Sequence, residues 1–290
     1  MNDTRRYALV TGASQGLGKA IAKKLIENGL SVMLCARSKI ELENTQQELY
    51  ALCDGGQTVE ATICDVSDPA QVDQLIANTL EIFPHLDALV NNAGVYGPLG
   101  LIEDVDWEEW IAAMNINILG TIYPCRVVIP HFRARGQGRI INLSGGGATS
   151  PLPRVSAYAA SKAAVVRFTE TIALELKEAG ILVNAVAPGA LNTRLMDQLL
   201  NAGPEVVGQD FHSRMSKVAA DGGTPLEIGA ELCAYLASSD AAAITGRLIS
   251  AVWDPWRRFD EYLSDIGNSD IYTLRRIVPS ERGMTWGDDL

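Results

Sequence analysis

Two hydrophobic patterns alternate along the chain. Short, nearly continuous apolar runs take turns with longer stretches whose apolar residues recur every three or four positions. The first run, Tyr7-Ala8-Leu9-Val10, enters a glycine-rich segment that ends at Gly18, and a helical pattern, Lys19–Ile26, leaves it. Further strands are predicted over 31–36, 57–65, 86–92, 138–144 and 181–186, with a seventh at 247–251. Helices are predicted over 39–52, from Pro69 to about Phe83, over 107–133 and over 156–179. Pro69 suits a first helical position, where the N–H that proline lacks would have no partner. Gly180 ends the long fourth helix of this set.

Runs this continuous mark strands buried on both faces. Strands that alternate with helices imply right-handed crossovers, hence an α/β fold with a doubly wound parallel sheet of about seven strands and helices on both faces. In such sheets the ligand lies beyond the carboxyl ends of the strands. Four loops fall there: Gly12–Gly18, Ala36-Arg37-Ser38, Asn91-Asn92-Ala93-Gly94 and Pro188-Gly189. Gly12 permits a tight turn. Gly16 and Gly18 let the backbone approach a bulky anion and let the helix pack close to the strand. The free N–H groups at the helix start suit a pyrophosphate. The spacing Gly-x-x-x-Gly-x-Gly differs from the common dinucleotide fingerprint, so a glycine turn without a ligand is the plain alternative for this motif alone.

Tyr158-Ala159-Ala160-Ser161-Lys162 opens the long helix and places Tyr158 and Lys162 on one face. A lysine ammonium near a phenol is expected to lower the tyrosine pKa from about 10. Such a tyrosine can exchange a proton with an alcohol oxygen.

Composition narrows the partners. The net charge of −11 argues against nucleic acid and anionic membrane, so an anion must be attracted by local geometry. Cys35, Cys53, Cys64, Cys125 and Cys233 are scattered, without a Cys-x-x-Cys pair, and imply no disulfide framework. The three histidines lie far apart in sequence and indicate no metal site. No signal-peptide region follows Met1, and no apolar stretch reads as long enough to span a membrane, so a cytoplasmic protein is expected.

Thr11-Gly12-x-x-x-Gly16-x-Gly18, Asn91-Asn92-Ala93-Gly94, Asn117-x-x-Gly120, Tyr158-x-x-x-Lys162 and Pro188-Gly189-x-x-x-Thr193 stand in the order of the short-chain dehydrogenase/reductase family, over about residues 5 to 251. On these motifs the chain is identified as a member. The resemblance implies a Rossmann-type fold and an NAD(P)-dependent oxidoreductase that moves hydride between the cofactor and a small-molecule substrate, a secondary alcohol or ketone. It also implies a homodimer or homotetramer. Tyr158 resembles the catalytic acid/base, and Lys162 the residue that holds the nicotinamide ribose and tunes the tyrosine. Asn117 resembles the helix residue that holds a relay water. Asn92 resembles the site near the adenosine ribose, and Asp65, with Val66 in register, the carboxylate that recognises adenine. A plain turn aspartate is the alternative for Asp65. Leu191 and Thr193 match positions that contact the nicotinamide carboxamide. Gly12, Ser14, Gln15, Gly16, Leu17, Gly18, Ala93, Gly94, Pro188 and Gly189 complete the expected cofactor path. No carboxylate follows the second strand to repel a 2′-phosphate; Arg37 and Ser38 stand there instead. Arginine grips phosphate through parallel hydrogen bonds, so NADP(H) is expected in preference to NAD(H).

Two departures stand out. The family usually has a serine thirteen positions before the tyrosine, and here that residue is Gly145. Ser144 is the candidate substitute, provided that the run Gly145-Gly146-Gly147 reshapes the loop. The departure also motivates a cofactor-binding regulatory or scaffold protein, or an epimerase or dehydratase, as rival readings. The second departure is the end. The family domain is assigned to residues 1–252, and an extension follows over 253–290 with Trp253, Trp256 and Trp286. Disordered tails seldom carry so many large apolar residues, so an ordered extension with a stability or subunit-contact role is expected. The stretch 192–221 holds Met196, Leu199, Leu200, Val206, Val207, Phe211 and Met215, either lining a pocket or packing as ordinary helices.

Overall fold

The computed structural model describes residues 5–238 and 244–285. Seven parallel strands form one sheet: β1 Arg6–Thr11, β2 Leu30–Ala36, β3 Val59–Ile63, β4 Ala88–Asn91, β5 Gly138–Leu143, β6 Ile181–Ala187 and β7 Leu248–Ser250. Their spatial order is β3-β2-β1-β4-β5-β6-β7. The winding reverses between β1 and β4, and in such sheets ligands bind beyond the strand ends at that switch point.

The connecting helices are α1 Gly16–Glu27, α2 Lys39–Tyr50, α3 Pro69–Ile82, α4 Trp107–Met114, α5 Gly120–Arg135 and α6 Ser156–Leu176. After β6 come α7 Arg194–Ala202, α8 Pro204–Val207, α9 Gln209–Ala220 and α10 Leu226–Ala237, and α11 Leu263–Gly267 lies in the extension. Strand side chains alternate between faces. Ala8 and Val10 therefore join a core with α1, α2 and α10, while Tyr7 and Leu9 join a second core with α3, α5 and α6. Two cores, one on each face, are why the strands read as continuous apolar runs.

The predicted helix over 107–133 is one continuous helical run, Trp107–Arg135. A π turn inside it, Asn115–Leu119, joins α4 to α5 and carries the buried Asn117. Close behind it, Gly120 lets α5 approach the Val66 loop: a methyl carbon there would stand 2.6 Å from Val66 Cγ2. The run Trp107–Arg135 also corrects one expectation. Its 29 residues, with mean hydropathy 1.3 over the most apolar window, are long and apolar enough to cross a membrane by length and composition alone. Asn115, Asn117 and Pro124 break the run to the eye but carry no charge. In the fold, Pro124, Cys125, Val128 and Phe132 of this run are buried.

The extension packs on the body. Trp256, Phe259 and Ile266 are buried in the core shared with α1 and α10. Trp256 Nε1 donates to Ala251 O at 3.1 Å, and the Phe259 ring stacks on Tyr272 at 5.5 Å. Leu248 N of the edge strand β7 donates to Tyr272 O at 2.8 Å. Leu274 N donates to Glu170 Oε1 at 2.6 Å, and Arg167 donates to Leu274 O, which fastens the extension to α6. Trp253 departs from this pattern at 84% exposed, because it sits on the turn that leaves β7. Trp286 lies outside the described residues. Phe259→Ala is expected to cost about 3–5 kcal/mol of stability, measured by urea unfolding; an unchanged midpoint would detach the extension from the folding core.

Candidate active site

The β1 turn is fastened to the β4 loop by side chains. Thr11 Oγ1 accepts from Asn92 N (3.0 Å) and Ala93 N (3.1 Å). Asn92 Nδ2 donates to Thr11 O (3.0 Å) and Gly12 O (3.1 Å). Gly12, at φ +63°, has no room for a side chain: an added carbon would stand 2.8 Å from Ala93 Cα. A carbon at Gly18 would overlap Gly12 O, so these two glycines serve the close packing of turn, helix and loop. Gly16 is the open one, with Thr193 Cγ2 nearest at 3.7 Å. The α1 start has no side-chain cap from Gln15 and no acidic residue in its first turn. Its leading N–H groups are therefore available to an anion, and the turn fits a dinucleotide pyrophosphate. Leu17 is buried beneath the turn, and Ser14 O accepts from Thr45 Oγ1 of α2 at 2.8 Å.

The neighbouring loops converge on this turn. Arg37 lies 3.8 Å from Asp65 across the ends of β2 and β3, with its side chain 60% exposed. Asp65 Oδ1 accepts from Ser67 N (2.9 Å) and Ser67 Oγ (2.7 Å), so the carboxylate also forms the turn that sequence allowed as its alternative. Val66 is buried, and Ser38 precedes α2 without a side-chain cap. After β6, Gly189 packs against Thr224 and Val252, and Leu191 bridges to Thr224. A carbon at Gly229 of α10 would stand 3.1 Å from Pro188 and 3.2 Å from Leu17, which joins this loop to the α1 start. Thr193, before α7, faces Gly16.

Tyr158 and Lys162 lie one turn apart on α6, with Lys162 Nζ 5.5 Å from the Tyr158 ring centre. Lys162 is buried, and Nζ donates to Leu143 O at 2.9 Å. A carbon on Gly94 would stand 3.4 Å from Lys162 Nζ and 3.2 Å from Asn117 Oδ1, so these groups surround one point of the β4 loop. The Asn117 side chain is spent within the protein. It donates to Val95 O (2.8 Å) and Ser161 Oγ (2.9 Å) and accepts from Val95 N (2.9 Å). These bonds make the amide a brace between the β4 loop and α6. The Asn117 backbone oxygen accepts from Thr121 Oγ1 at 2.9 Å.

Burial sets the electrostatics. It pulls the Lys162 ammonium down to about 8. It pushes the Tyr158 phenol well above its ordinary value, and the nearby Tyr96 phenol pushes the same way. The lowering of Tyr158 expected from Lys162 is not found here: loss of water and the Tyr96 phenol both raise it.

Position 145 faces the phenol. Its backbone is extended, and a carbon added there would overlap the Tyr158 hydroxyl. Ser144 points elsewhere. Its buried hydroxyl donates to Lys162 O at 3.2 Å, and its N–H donates to Val186 O at 2.8 Å. A one-residue step on a strand turns the side chain over, and the glycine run does not undo that step. Gly147 is covered by α6, since a carbon there would stand 2.7 Å from Ala159 Cα. The run thus seats the loop on α6.

Two residues escaped the sequence reading. The Tyr96 ring meets Tyr158 edge to face at 4.8 Å. Arg154, at φ +65°, donates to Glu205 O (3.1 Å) and Val206 O (3.0 Å) of α8, and its carbonyl accepts from Gly100 N (2.9 Å). It ties three loops at the mouth. Neither residue follows a period or a motif; only the left-handed backbone at 154 marks it, and sequence does not reveal that. In the 192–221 stretch, Met196, Leu199 and Val207 are buried, whereas α9 buries none of its residues. Met196, Leu199 and Val207 thus pack as ordinary helix core.

A parallel sheet with an uncapped helix at its switch point, and a half-buried phenol beside a buried lysine, fits a nicotinamide-dependent oxidoreductase. The short chain dehydrogenase model matches residues 6–203. The short-chain reductase protein NovJ of Streptomyces niveus is 34% identical over 247 residues, covering 83% of this chain and 90% of NovJ. An actinorhodin polyketide ketoreductase solved with NADPH superposes with a TM-score of 0.77 at 32% identity, over 85% of this chain and 95% of that one. An NAD+-bound xylitol dehydrogenase superposes with a TM-score of 0.75 at 26% identity, over 84% and 96%. The chain belongs to the short chain dehydrogenase family and is an NAD(P)-dependent alcohol/ketone oxidoreductase.

Lys162 carries a stability signature. Its folded pKa of about 8 lies below the ordinary lysine value, so the folded state bears the whole cost of burying the ammonium below pH 8. Above that, the unfolded state holds the proton longer, and stability from this group rises with pH. Between about pH 7 and pH 10 the stability of the native chain relative to Lys162→Met is expected to rise by about 2 kcal/mol. Urea unfolding at the two pH values checks this; a constant difference would mean an ordinary lysine pKa.

Proposed function

We propose that the chain reduces or oxidises a secondary alcohol/ketone pair with Tyr158 as the proton donor and acceptor. Lys162 holds the nicotinamide ribose, Asn117 fixes the loop beside it, and the turn from Gly12 to Gly18 holds the pyrophosphate. Leu191 and Thr193 take the carboxamide end, and Asp65 and Asn92 the adenosine end. The bound cofactor supplies or accepts the hydride. The observation that carries the reading is the meeting of Lys162 and Asn117 at Gly94, with the Tyr158 ring 5.5 Å from the Lys162 ammonium, on a sheet whose α1 start is uncapped. Tyr158 gives its proton to the substrate oxygen on reduction and takes it back on oxidation. We further infer a cytoplasmic homodimer or homotetramer. The five free thiols accord with a reducing compartment.

Tyr158→Phe tests the centre of the reading. The ring still packs and only the hydroxyl is lost, so turnover is expected to fall by about 10²–10⁴ with cofactor affinity intact. Near-native kcat would remove Tyr158 from the proton transfer and return the scaffold or epimerase readings.

NADP(H) is the preferred cofactor in this proposal. Arg37 is exposed at the end of β2 and only loosely held, 3.8 Å from Asp65, so its guanidinium is free to turn to a 2′-phosphate. Arg37→Ala is expected to lower the NADP-to-NAD ratio of kcat/KM by about tenfold or more, as loss of a charge-assisted pair requires. An unchanged ratio would overturn the preference.

A further inference from the structure

Neither residue at the end of β5 offers the substrate a hydroxyl. Gly145 has no side chain, and the space in front of it is taken by the Tyr158 phenol. Ser144 gives its only hydroxyl proton to Lys162 O at 3.2 Å. A second donor stands on another loop. The Tyr96 ring lies edge to face with Tyr158, centres 4.8 Å apart and planes at 72°. Neither phenol oxygen has a hydrogen-bond partner among the described residues.

Tyr96 is held from both sides. Before it, Asn117 bonds both the N–H and the carbonyl of Val95, at 2.9 and 2.8 Å. After it, the chain passes between α4 and α6 at Gly97, where an added carbon would stand 2.6 Å from Ala113 Cβ and 3.4 Å from Ala157 Cβ. A side chain fixed in this way brings little reorganisation to the reaction. Burial pushes the Tyr96 phenol above its ordinary value, so it keeps its proton at neutral pH and acts as a donor.

We propose that Tyr96 donates the second hydrogen bond to the substrate oxygen, the bond that neither residue 144 nor residue 145 makes in this chain. This rests on the reading of Tyr158 as the acid/base. During reduction, hydride from the cofactor forms the new C–H bond. The Tyr158 O–H bond breaks, and its proton forms the product O–H. Tyr96 keeps its proton and stabilises the charge that grows on the oxygen between those events. It is a catalytic residue in the sense that it touches the reacting atom, while Asn117 and Gly97 position it.

The test compares Tyr96→Phe, Tyr96→Leu and Tyr158→Phe in the full chain. Each is assayed with NADPH and with NADH on the fastest-reduced ketone among cyclohexanone, acetophenone and ethyl acetoacetate. Tyr96→Phe preserves the ring contact and is expected to lower kcat by about 10²-fold, as loss of one oxyanion donor does elsewhere. KM and cofactor affinity should change little. Tyr96→Leu should be no worse than about tenfold beyond that, since the hydroxyl carries the effect. Native kcat in Tyr96→Phe, with Tyr158→Phe inactive, overturns this proposal and leaves the Tyr158 reading standing. Loss in Tyr96→Leu alone assigns Tyr96 to packing and likewise overturns it. Activity in Tyr158→Phe sinks the underlying reading instead.

Discussion

One buried amide fixes the relation of the parts on which this site depends. Asn117 is fully enclosed, and an enclosed amide is costly unless its donors and acceptor are used. Three bonds use it, two to Val95 and one to Ser161. Ser161 in turn donates to Tyr158 O at 2.8 Å. The amide therefore sets the β4 loop against α6 at the turn that carries Tyr158 and Lys162. Sliding either element by one residue would leave the amide unpaired in the core. The π turn that holds Asn117 fits this account, because such turns occur mostly where a helix must aim one residue at a site.

The same device recurs at the cofactor end, where Thr11 and Asn92 tie the β1 turn to the β4 loop with four bonds. The strands end at these loops, so backbone groups there have no sheet partner and need side chains. β4 thus stands between two clamps, one toward α1 and one toward α6. Lys162 is the cost of the arrangement. Its ammonium is buried with one hydrogen bond among the described residues, to Leu143 O, and burial lowers its pKa to about 8. Stability is given up where chemistry needs a cation close to a phenol.

The frame was legible because period is local. Continuous runs such as Leu89-Val90 and Val183-Asn184-Ala185-Val186 gave strands, and Tyr158 and Lys162 shared a face by their spacing alone. Element ends drifted by up to three residues, since caps and pairing partners are tertiary facts. The failures have the same cause. The direction of the Tyr158 shift depends on how deeply the fold encloses the phenol. The orientation of Ser144 depends on which face of β5 meets α6. Tyr96 lies in a loop with no period, and its importance comes from a ring two elements away. Trp253 looked like core by type, but a turn carries it outward.

Gly145 is better understood as half of an exchange than as a deletion. A serine there would put its first carbon where the Tyr158 hydroxyl now lies, although the extended backbone would accept it. Restoring the family residue would therefore push the phenol away before it restored a donor. The phenol occupies the space in front of Gly145, and the Tyr96 ring packs on it edge to face. Such coupling links three positions: a glycine at 145 permits the tyrosine placement, and that placement admits a ring at 96. Contacts of this kind are non-additive, so substitution at 145 alone tests the packing of Tyr158 as much as the chemistry of the lost hydroxyl.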